Sequence, residues 1–559
     1  MIQDFIPALE WLRTYKRDNL RGDLSAGLIV AIMLVPQSMA YAMLAGLPVI
    51  IGLYAATIPL LIYALFGSSR HLAVGPVAMM SLLVFAAASK LAQPGSETYI
   101  GFVLLLSFMV GAMQFLFGVL RLGFLVHFVS HAVISGFMSA AAIVIFLSQL
   151  KHLLGIKIAG GGSVFHILVE VSRNIGDTNL ITLMIGLGSI CILSILKKKH
   201  PLFPSQLVVV IGGTLLVYLL GLEKFGVETV GRVPKGLPSF SIPEFSANWM
   251  MLLLPSSITI VFVGFMESIA VAELIAAKEK YKIDPNQELK GLGLANLVGA
   301  FVSCYPVTGG LSRTAVNYQA GARTGLASMV TAAVVILTLL FFTPLFFDLP
   351  RAVLASIIMT AVMGFVDVEE AKHLFKIKTA DGWIWILTFI SALAIGIDYG
   401  ILIGICFSLL LFIWRTSHPH AAEIGYLAQE DVFRNIKRYP QAETYPHILI
   451  LRVDASLYFA NMSFLERFLR KNIAEKPDTR WVIVDFSGVN DIDAVAIHTL
   501  EELMDTYREK GLNFALSEMK GPVRDLVAKA GWHEKYGKQV EYLSIKHALR
   551  DIRVGDAPD

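Results

Sequence analysis

The sequence predicts a polytopic α-helical membrane protein, followed by a small α/β domain. We expect about fourteen spans in a seven-plus-seven inverted repeat with two broken half-helices. Three observations predict this fold class: an apolar composition, fourteen apolar segments before residue 417, and the recurrence of one motif and one broken segment. Of the 559 residues, 55% are hydrophobic and only 16% are charged, whereas soluble domains contain about 25% charged residues. Charged residues concentrate after residue 416, which indicates a soluble domain at that end.

Apolar runs long enough to cross or half cross a bilayer recur through the first three quarters of the chain. In the first half they lie near 24–46, 48–66, 76–89, 99–119, 126–150, 178–197 and 204–221. In the second half they lie near 252–277, 287–303, 311–320, 324–346, 351–364, 381–397 and 399–416. We therefore expect an N-terminal segment (1–23), a transmembrane domain (24–416, with repeats at 24–221 and 252–416), a linker (417–439) and the α/β domain (440–555).

Loop charges predict the orientation. With the N-terminus inside, the inner loops contain most of the Lys and Arg residues, including Lys197-Lys198-Lys199, as the positive-inside rule requires. An even number of spans then places both termini in the cytoplasm. The first apolar run is too long for a signal peptide and lacks a small-residue cleavage site, so we expect a retained span in the cell (inner or plasma) membrane.

The two halves share a short motif. Gln37–Leu44 and Glu267–Leu274 match at four of eight positions, as Ser-x-Ala-x-Ala-x-Leu, at an offset of 230 residues. The same offset carries the Gly/Pro break near Gly75 close to the break near Gly310. Because each half has an odd number of spans, the copies face opposite ways, which is typical of secondary transporters.

The breaks predict an anion site. A half-helix that begins in mid-membrane presents unpaired N–H groups and about half a positive charge, and two facing ends favour an anion between them. Glycine lets a ligand approach the backbone, Pro76 suits a first helical turn, and Arg313 is a permanent cation in an apolar region. The alternative is that Arg313 is a snorkelling or ion-paired charge that stabilises the fold. The candidate substrate-binding residues at the breaks are Pro76, Val77, Ala78, Gly310, Leu311, Ser312 and Arg313.

The first span of each repeat contributes further candidates. Gln37 and Tyr41 lie one helical turn apart and share a face, and both can hydrogen-bond an oxyanion; a packing role is the alternative for Tyr41. Glu267 is equivalent to Gln37 and lies in an apolar stretch. A Glu that is protonated together with anion binding would couple a proton to transport, whereas a counter-ion for Arg313 is the competing interpretation.

Several function classes are excluded. Cys191, Cys304 and Cys406 stand alone, so we expect neither a zinc site nor a disulfide. No basic stripe indicates nucleic-acid binding. No nucleophile–base pair indicates an enzyme, and we expect no cofactor.

These residues resemble the SulP (sulfate permease) family of anion transporters over nearly the whole chain. Residues 48–56 (Pro-Val-Ile-Ile-Gly-Leu-Tyr-Ala-Ala), running on to Phe-Gly-Ser-Ser-Arg at 66–70, resemble the family's signature around its second span, although Ile50 departs from the usual Tyr or Ser. Residues 71–76 resemble the entry to the third span. Residues 311–317, with Gly-Ala-Arg-Thr at 321–324, resemble the tenth span and the turn after it.

The resemblance implies a core of spans one to four and eight to eleven, a gate of the remaining spans, elevator-like transport and a homodimer. It also implies that Gln37, Tyr41, the half-helix ends and Ser312-Arg313 surround the anion. Glu267 matches a carboxylate that plant-type members link to proton coupling.

The tail alternates strand and helix patterns. Residues 447–453 and 481–485 read as strands, and 461–474, 494–511 and 521–532 as helices. The run from Asp485 to Asp493 resembles the loop of the STAS (sulfate transporter and anti-sigma antagonist) domain. In the antagonists a phosphorylated Ser or Thr follows that pattern, whereas this chain has Ala494. A phospho-switch at that position is therefore excluded, and we expect a regulatory or dimer-supporting role. The sequence leaves open whether the domain binds a cytoplasmic partner.

The leading prediction is a membrane-embedded secondary transporter of a small oxyanion, with sulfate and proton symport favoured. Bicarbonate or C4-dicarboxylate uptake coupled to Na⁺ or H⁺ remains an alternative. An anion exchanger or channel, or a sensor that binds the anion without net flux, would carry the same site residues. Alternating access favours transport, because an inverted repeat with two broken spans serves it.

Overall fold

The structure is a computed structural model that describes residues 6–157, 164–199 and 203–555. It divides into two compact units, Met1–Ser408 and Leu409–Asp559. The first unit is helical apart from two very short strands, and the second contains a five-stranded sheet.

The helices of the first unit follow the predicted apolar segments. They are α1 (Ala8–Arg13), α2 (Arg17–Leu44), α3 (Val49–Ala55), α4 (Ile58–Phe66), α5 (Ala78–Ala88), α6 (Glu97–Val119), α7 (His131–Leu154), α8 (Val164–Asn174), α9 (Leu180–Lys199), α10 (Ser205–Leu220), α11 (Ala247–Glu279), α12 (Pro285–Ala300), α13 (Leu311–Gln319), α14 (Leu326–Leu337), α15 (Arg351–Val362), α16 (Val368–Ile377), α17 (Thr379–Ala394) and α18 (Ile397–Ser417). A helix lies in each of the fourteen predicted segments.

The lengths of these helices test the membrane prediction in part. Within the described residues, nine helical stretches are long and apolar enough to cross a bilayer, and α5, α10 and α17 are shorter apolar helices. The protein therefore has a polytopic helical membrane unit, and the count of fourteen spans stays a prediction.

Two helices from different halves pack backbone to backbone. A Cβ atom at Gly111 of α6 would lie 2.3 Å from the amide nitrogen of Leu297 on α12, and one at Gly293 would lie 2.4 Å from that of Phe115. Small residues permit such close approach between membrane helices. The two repeats are therefore interleaved in space rather than placed side by side.

A short antiparallel pair joins the two breaks. Strand β1 (Val74–Gly75) pairs with β2 (Thr308–Gly309), with Val74 opposite Gly309. Helix α5 begins at Ala78, directly after β1, and α13 begins at Leu311, directly after β2. Pro76 precedes the N-cap residue Val77, so the expectation that Pro76 occupies the first helical turn was wrong. Its missing N–H ends the strand instead of starting the helix.

The second unit is an α/β domain. Strands β3 (Ala421–Leu427), β4 (Val432–Asn435), β5 (Ile448–Val453), β6 (Trp481–Asp485) and β7 (Asn513–Ser517) form one sheet in the order β4-β3-β5-β6-β7, with β5, β6 and β7 parallel. Its helices are α19 (Met462–Glu475), α20 (Ala494–Arg508), α21 (Gly521–Lys529), α22 (Trp532–Tyr536) and α23 (Ile545–Gly555). Alternate residues of the central strands enter two apolar clusters, as a sheet covered on both faces requires.

The structure differs from the sequence prediction at residues 417–439, where we expected a linker. Strands β3 and β4 lie inside it, and β3 pairs with β5, with Ala421 opposite Val453. The α/β domain thus includes residues that we had placed before it. The two strands are antiparallel edge additions, which the alternating strand–helix pattern does not reveal.

Candidate functional site

The two half-helix ends meet through a ladder of hydrogen bonds between the repeats. The Gly310 amide donates to the Ala73 carbonyl at 3.1 Å. The Ala73 amide donates to Thr314 Oγ1 at 3.0 Å, across 241 residues of sequence. Because the first amides of a helix have no intrahelical acceptor, this pairing fixes two sets of free donors close to each other. The side chains of Val77 and Ala78 are buried at one end.

Arg313 lies between these ends. It is 1% exposed, and its Nη1 donates to the carbonyl oxygen of Pro76. Within the described ranges its Nε and Nη2 atoms have no hydrogen-bond partner, and no ion pair includes it. Arg313 therefore does not have the ion-paired role that was the alternative. Two donors of a buried guanidinium remain available to a ligand, since buried polar groups are otherwise nearly always paired.

Gly310 makes room for the side chain of Arg313. A Cβ atom at Gly310 would lie 2.8 Å from Nη2 and 2.9 Å from Cζ of Arg313, and one at Gly75 would lie 3.5 Å from Nη2. The space over Gly310 is thus filled by the guanidinium group and not by an approaching ligand. Gly310 allows the arginine side chain to fold back over the start of its own helix.

Gln37 and Tyr41 are both buried on α2, with exposures of 3% and 5%. No described residue forms a hydrogen bond with the Oε1 atom of Gln37. Tyr41 interacts electrostatically with Arg313, so the two side chains lie near each other. The structure brings these sequence-predicted residues to the same region of the core.

Glu267 lies on α11, and its Oε2 atom is buried without a hydrogen-bond partner in the part of the chain that the structure describes. It also interacts electrostatically with Arg313. The next residue, Ser268, holds the break itself: the Gly309 amide donates to Ser268 Oγ at 2.8 Å, and Thr308 Oγ1 lies 2.6 Å from that oxygen. We did not single out Ser268 from the sequence, although it is one of the four matching positions of the repeated motif.

Two other predicted residues, Leu311 and Ser312, are exposed and do not share the buried position of Arg313. Leu311 is 43% exposed and Ser312 is exposed, whereas Arg313 is buried. Successive residues of a helix point about 100° apart, so Ser312 and Arg313 do not point in the same direction. The open side of the site therefore lies at the first turn of α13.

Comparison with known proteins agrees with this architecture. The profile described as "Sulfate permease family" matches residues 20–388, and that of the STAS domain matches residues 439–543. "Probable sulfate transporter 4.2" of Arabidopsis thaliana is 39% identical over 566 residues, covering 98% of this chain and 84% of its own.

Two solved structures share the fold. The murine Solute Carrier 26 family member A9 (Slc26a9) anion transporter in the inward-facing state has a TM-score of 0.92 at 26% identity, covering 99% of this chain and 94% of that one. The transmembrane domain of a cyanobacterium bicarbonate transporter, BicA, has a TM-score of 0.61 at 25% identity, covering 70% and 98%. The chain therefore belongs to the sulfate permease family, as a multi-pass membrane anion transporter with a STAS domain, and is not an enzyme.

Proposed function

We propose that the protein carries sulfate together with a proton, by elevator-type alternating access. The observation that carries this proposal is Arg313, a fully buried cation with two unpartnered N–H groups at the meeting point of two half-helix ends. The relative from Arabidopsis named as a probable sulfate transporter supports the choice of anion.

Sulfate is a suitable ligand for these groups. Its oxygens accept hydrogen bonds only, and charge-assisted bonds from a guanidinium to an oxyanion are among the strongest in proteins. Arg313 Nε and Nη2, the first amides of α5 and α13, and the side chains of Gln37 and Tyr41 offer donors from several directions. The site does not need a hydrogen bond from Glu267 to hold the anion, which leaves Glu267 free for a second role.

That second role is proton coupling. An ionised Glu267 next to the site would repel a dianion, whereas a protonated one would not. Binding of sulfate and of a proton would therefore favour each other, which is the thermodynamic condition for symport. The unpartnered Oε2 of Glu267 can accept the proton without breaking a hydrogen bond.

The proposal also includes the part of the protein that moves, its location in the cell, its partner and a second candidate substrate. The core, formed by spans one to four and eight to eleven, moves with the anion against a gate held in a homodimer. The protein lies in the cell membrane with both termini in the cytoplasm, and the STAS domain offers a surface to a cytoplasmic partner. Bicarbonate is the second candidate substrate, favoured by the likeness to the BicA transmembrane domain.

Labelled-sulfate uptake into proteoliposomes tests the proposal, with and without an outside-acid pH gradient. We expect the gradient to drive uptake by the wild type. Glu267→Gln should keep sulfate binding and lose the gradient effect, and Glu273→Gln, on an exposed position of the same helix, is the matched control. Gradient-driven uptake that survives in Glu267→Gln would return Glu267 to a structural role.

Substitution of the cation tests the binding site. Arg313→Gln should abolish saturable sulfate binding, and Arg313→Lys should fail to restore it because a lysine cannot reproduce the planar fork of donors. Competition with bicarbonate and C4-dicarboxylates separates the candidates. If the wild type binds bicarbonate and takes up no sulfate, the sulfate assignment is wrong.

A further inference from the structure

A cavity of about 750 Å³ lies at the far end of half-helix α5, away from Arg313. The ends of α2, α5, α7 and α17 and the start of α18 surround it. The loop charges assign all of these ends to the outer side of the membrane, and the fold brings them together at one place. We call this cavity the outer vestibule.

Cationic and polar side chains line the outer vestibule. They are Ser89, Lys90, Gln93, Ser148, Gln149, Lys151 and His152. A smaller cavity of about 400 Å³ shares Met43, Gly46 and Pro94 with it and adds Arg232 and Arg351. The described residues that line the two cavities include no Asp or Glu.

This clustering of charge opposes the usual distribution. Lys and Arg are scarce on the outer side of membrane proteins, yet Lys90, Lys151, Arg232 and Arg351 all line these two cavities. A field of one sign in a cleft with low-dielectric walls raises the local concentration of the opposite ion. The expected occupant is therefore an anion.

Two of the cations have a structural explanation. Arg351 Nη1 lies 3.4 Å from Glu228 Oε2, and its Nε donates to the Thr229 carbonyl. Lys90 follows the C-terminal end of α5, where a cation is stabilised, and lies over the ring of Tyr399. Lys151 is different, because it is half-buried and forms no ion pair within the described part of the chain.

Gln149 provides independent evidence for a ligand. It is 3% exposed, lines the vestibule, and donates from Nε2 to Ser148 Oγ at 3.0 Å. Its Oε1 atom is buried and has no hydrogen-bond partner among the described residues. Water, or the water shell of a bound ion, is a suitable donor for such an acceptor, because buried polar groups are nearly always paired.

Half-helix α5 links the vestibule to the candidate site. Its eleven residues run from Ala78, at the Arg313 end, to Ala88, beside the vestibule residue Ser89. Eleven residues of α-helix span about 16 Å. An anion in the vestibule would thus be one half-helix away from the donors of Arg313.

We propose that the outer vestibule is a second, low-affinity binding site for a hydrated small oxyanion, at which Lys151 supplies the attraction and Gln149 holds the water shell. The identity of the anion rests on the function proposed above, whereas the site itself rests on the cavity and its charges. The vestibule loads the carrier by raising the local anion concentration, and the donors of Arg313 then replace the water shell.

Cysteine modification tests the vestibule without transport. Cys191, Cys304 and Cys406 are replaced by Ser, and Ser89→Cys provides a reporter in the cavity wall. A negatively charged thiosulfonate reagent should modify Cys at this position faster than a positively charged one of similar size, and added sulfate should slow the reaction. Lys151→Gln should remove most of this preference.

The matched control is Lys157→Gln. Lys157 is exposed, lies three residues after the end of α7, the helix that contains Lys151, and lines neither cavity. Equal rates for the two reagents, no modification by either, or equal effects of Lys151→Gln and Lys157→Gln would overturn the proposal. The control removes the same charge from the same side of the protein, so it separates a local effect from a general one.

Uptake kinetics supply a second test in the native cysteine background. Lys151→Gln should raise the apparent KM for sulfate about threefold or more and weaken its dependence on ionic strength, while the maximal rate is unchanged. If the wild type takes up no sulfate, the proposed function is wrong. The rates of cysteine modification then still test whether the vestibule attracts anions. If the wild type is active and KM is the same in Lys151→Gln, the vestibule proposal is wrong.

Discussion

Glu288 on α12 binds the backbone of Ser68, 220 residues away in the sequence. Its Oε1 accepts from the Ser68 amide at 2.7 Å, from Ser68 Oγ at 2.8 Å and from the Ser69 amide at 2.9 Å. Its Oε2 accepts from Tyr63 Oη at 2.7 Å, and the whole residue is 0% exposed. One buried carboxylate of the second repeat thus holds the chain segment that leads into β1 of the first.

Glu288→Gln should destabilise the membrane unit by about 2 kcal/mol or more, because a neutral amide cannot accept all four hydrogen bonds that the buried carboxylate accepts. We expect a clear fall in the melting temperature of the protein in detergent. Glu273→Gln changes an exposed carboxylate in the same way and should leave the melting temperature unchanged. Equal melting temperatures for both variants would contradict this prediction.

Asp23 makes the reciprocal link from the first repeat to the second. Its Oδ1 accepts from the amides of Arg323 and Thr324 at 2.7 and 3.0 Å, and its Oδ2 accepts from Thr324 Oγ1 at 2.7 Å. Asp23→Asn should lower the melting temperature strongly, since three donors lose a charged acceptor. Tyr15→Phe removes only a 3.2 Å bond to the same carboxylate and should have a much smaller effect. A larger loss in Tyr15→Phe would refute this order.

Gly310→Ala should impair anion binding without unfolding the protein. The new methyl group would lie 2.8 Å from Arg313 Nη2, so the guanidinium must leave its place over the half-helix end. We expect at least a tenfold loss of sulfate affinity, or about 1.4 kcal/mol, since a hydrogen bond to a charged group contributes about 1.5–3 kcal/mol. Gly188→Ala on α9 meets no atom within 4 Å and is the control. Wild-type affinity in Gly310→Ala would show that the position of Arg313 is unimportant.

The STAS domain should show an acid-dependent loss of stability at Asp454. Partial burial acts to raise the pKa of this carboxyl group, but hydrogen bonds from Arg452 and from His420 outweigh it and bring the pKa below its usual value of 3.8. A carboxyl group whose pKa is lowered by folding stabilises the folded state above its unfolded pKa, and this contribution disappears as the pH falls through the folded value.

Asp454→Asn should therefore weaken the domain by about 1 kcal/mol at pH 7, with the difference from the wild type shrinking below pH 4. Hydrogen exchange of the β5 and β6 amides in the full-length protein measures this effect. Asp525→Asn, at an exposed site on α21, is the control. A difference that stays constant down to the lowest accessible pH would be inconsistent with an electrostatic origin.

Parts of the candidate site could be predicted from the sequence because they depend on local rules. Gly75-Pro76 and Gly309-Gly310 interrupt apolar runs, and the structure begins a helix shortly after each of them. Arg313 stands out because a charge is rare in an apolar run. Ser268 carried a weaker signal, since a serine in a repeated motif does not reveal which amide it binds.

The C-terminal α/β domain also contains elements that the sequence predicted and elements that it did not reveal. Hydrophobic periodicity predicted the strands near 447–453 and 481–485 and the three helices. The structure contains all of them, and the observed ends differ from the predicted ones by a few residues at most. Strands β3 and β4 were missed because β3 is fixed by its pairing with β5, which lies elsewhere in the sequence, while β4, at the edge of the sheet, pairs with β3.

The sequence by itself determined that this protein is a helical membrane transporter of the sulfate permease family with a STAS domain, because apolar length, loop charge and motif spacing are properties of short stretches of chain. Only the tertiary structure decided that β1 pairs with β2, that Gly310 makes room for Arg313, and that Asp23 and Glu288 each hold a loop of the opposite repeat. Apart from Gly310 and Arg313, these contacts join residues more than 200 positions apart, as do Ala73 and Thr314 at 241. Such pairs meet only when both repeats pack into one core, where a buried polar group must find its partners within the protein.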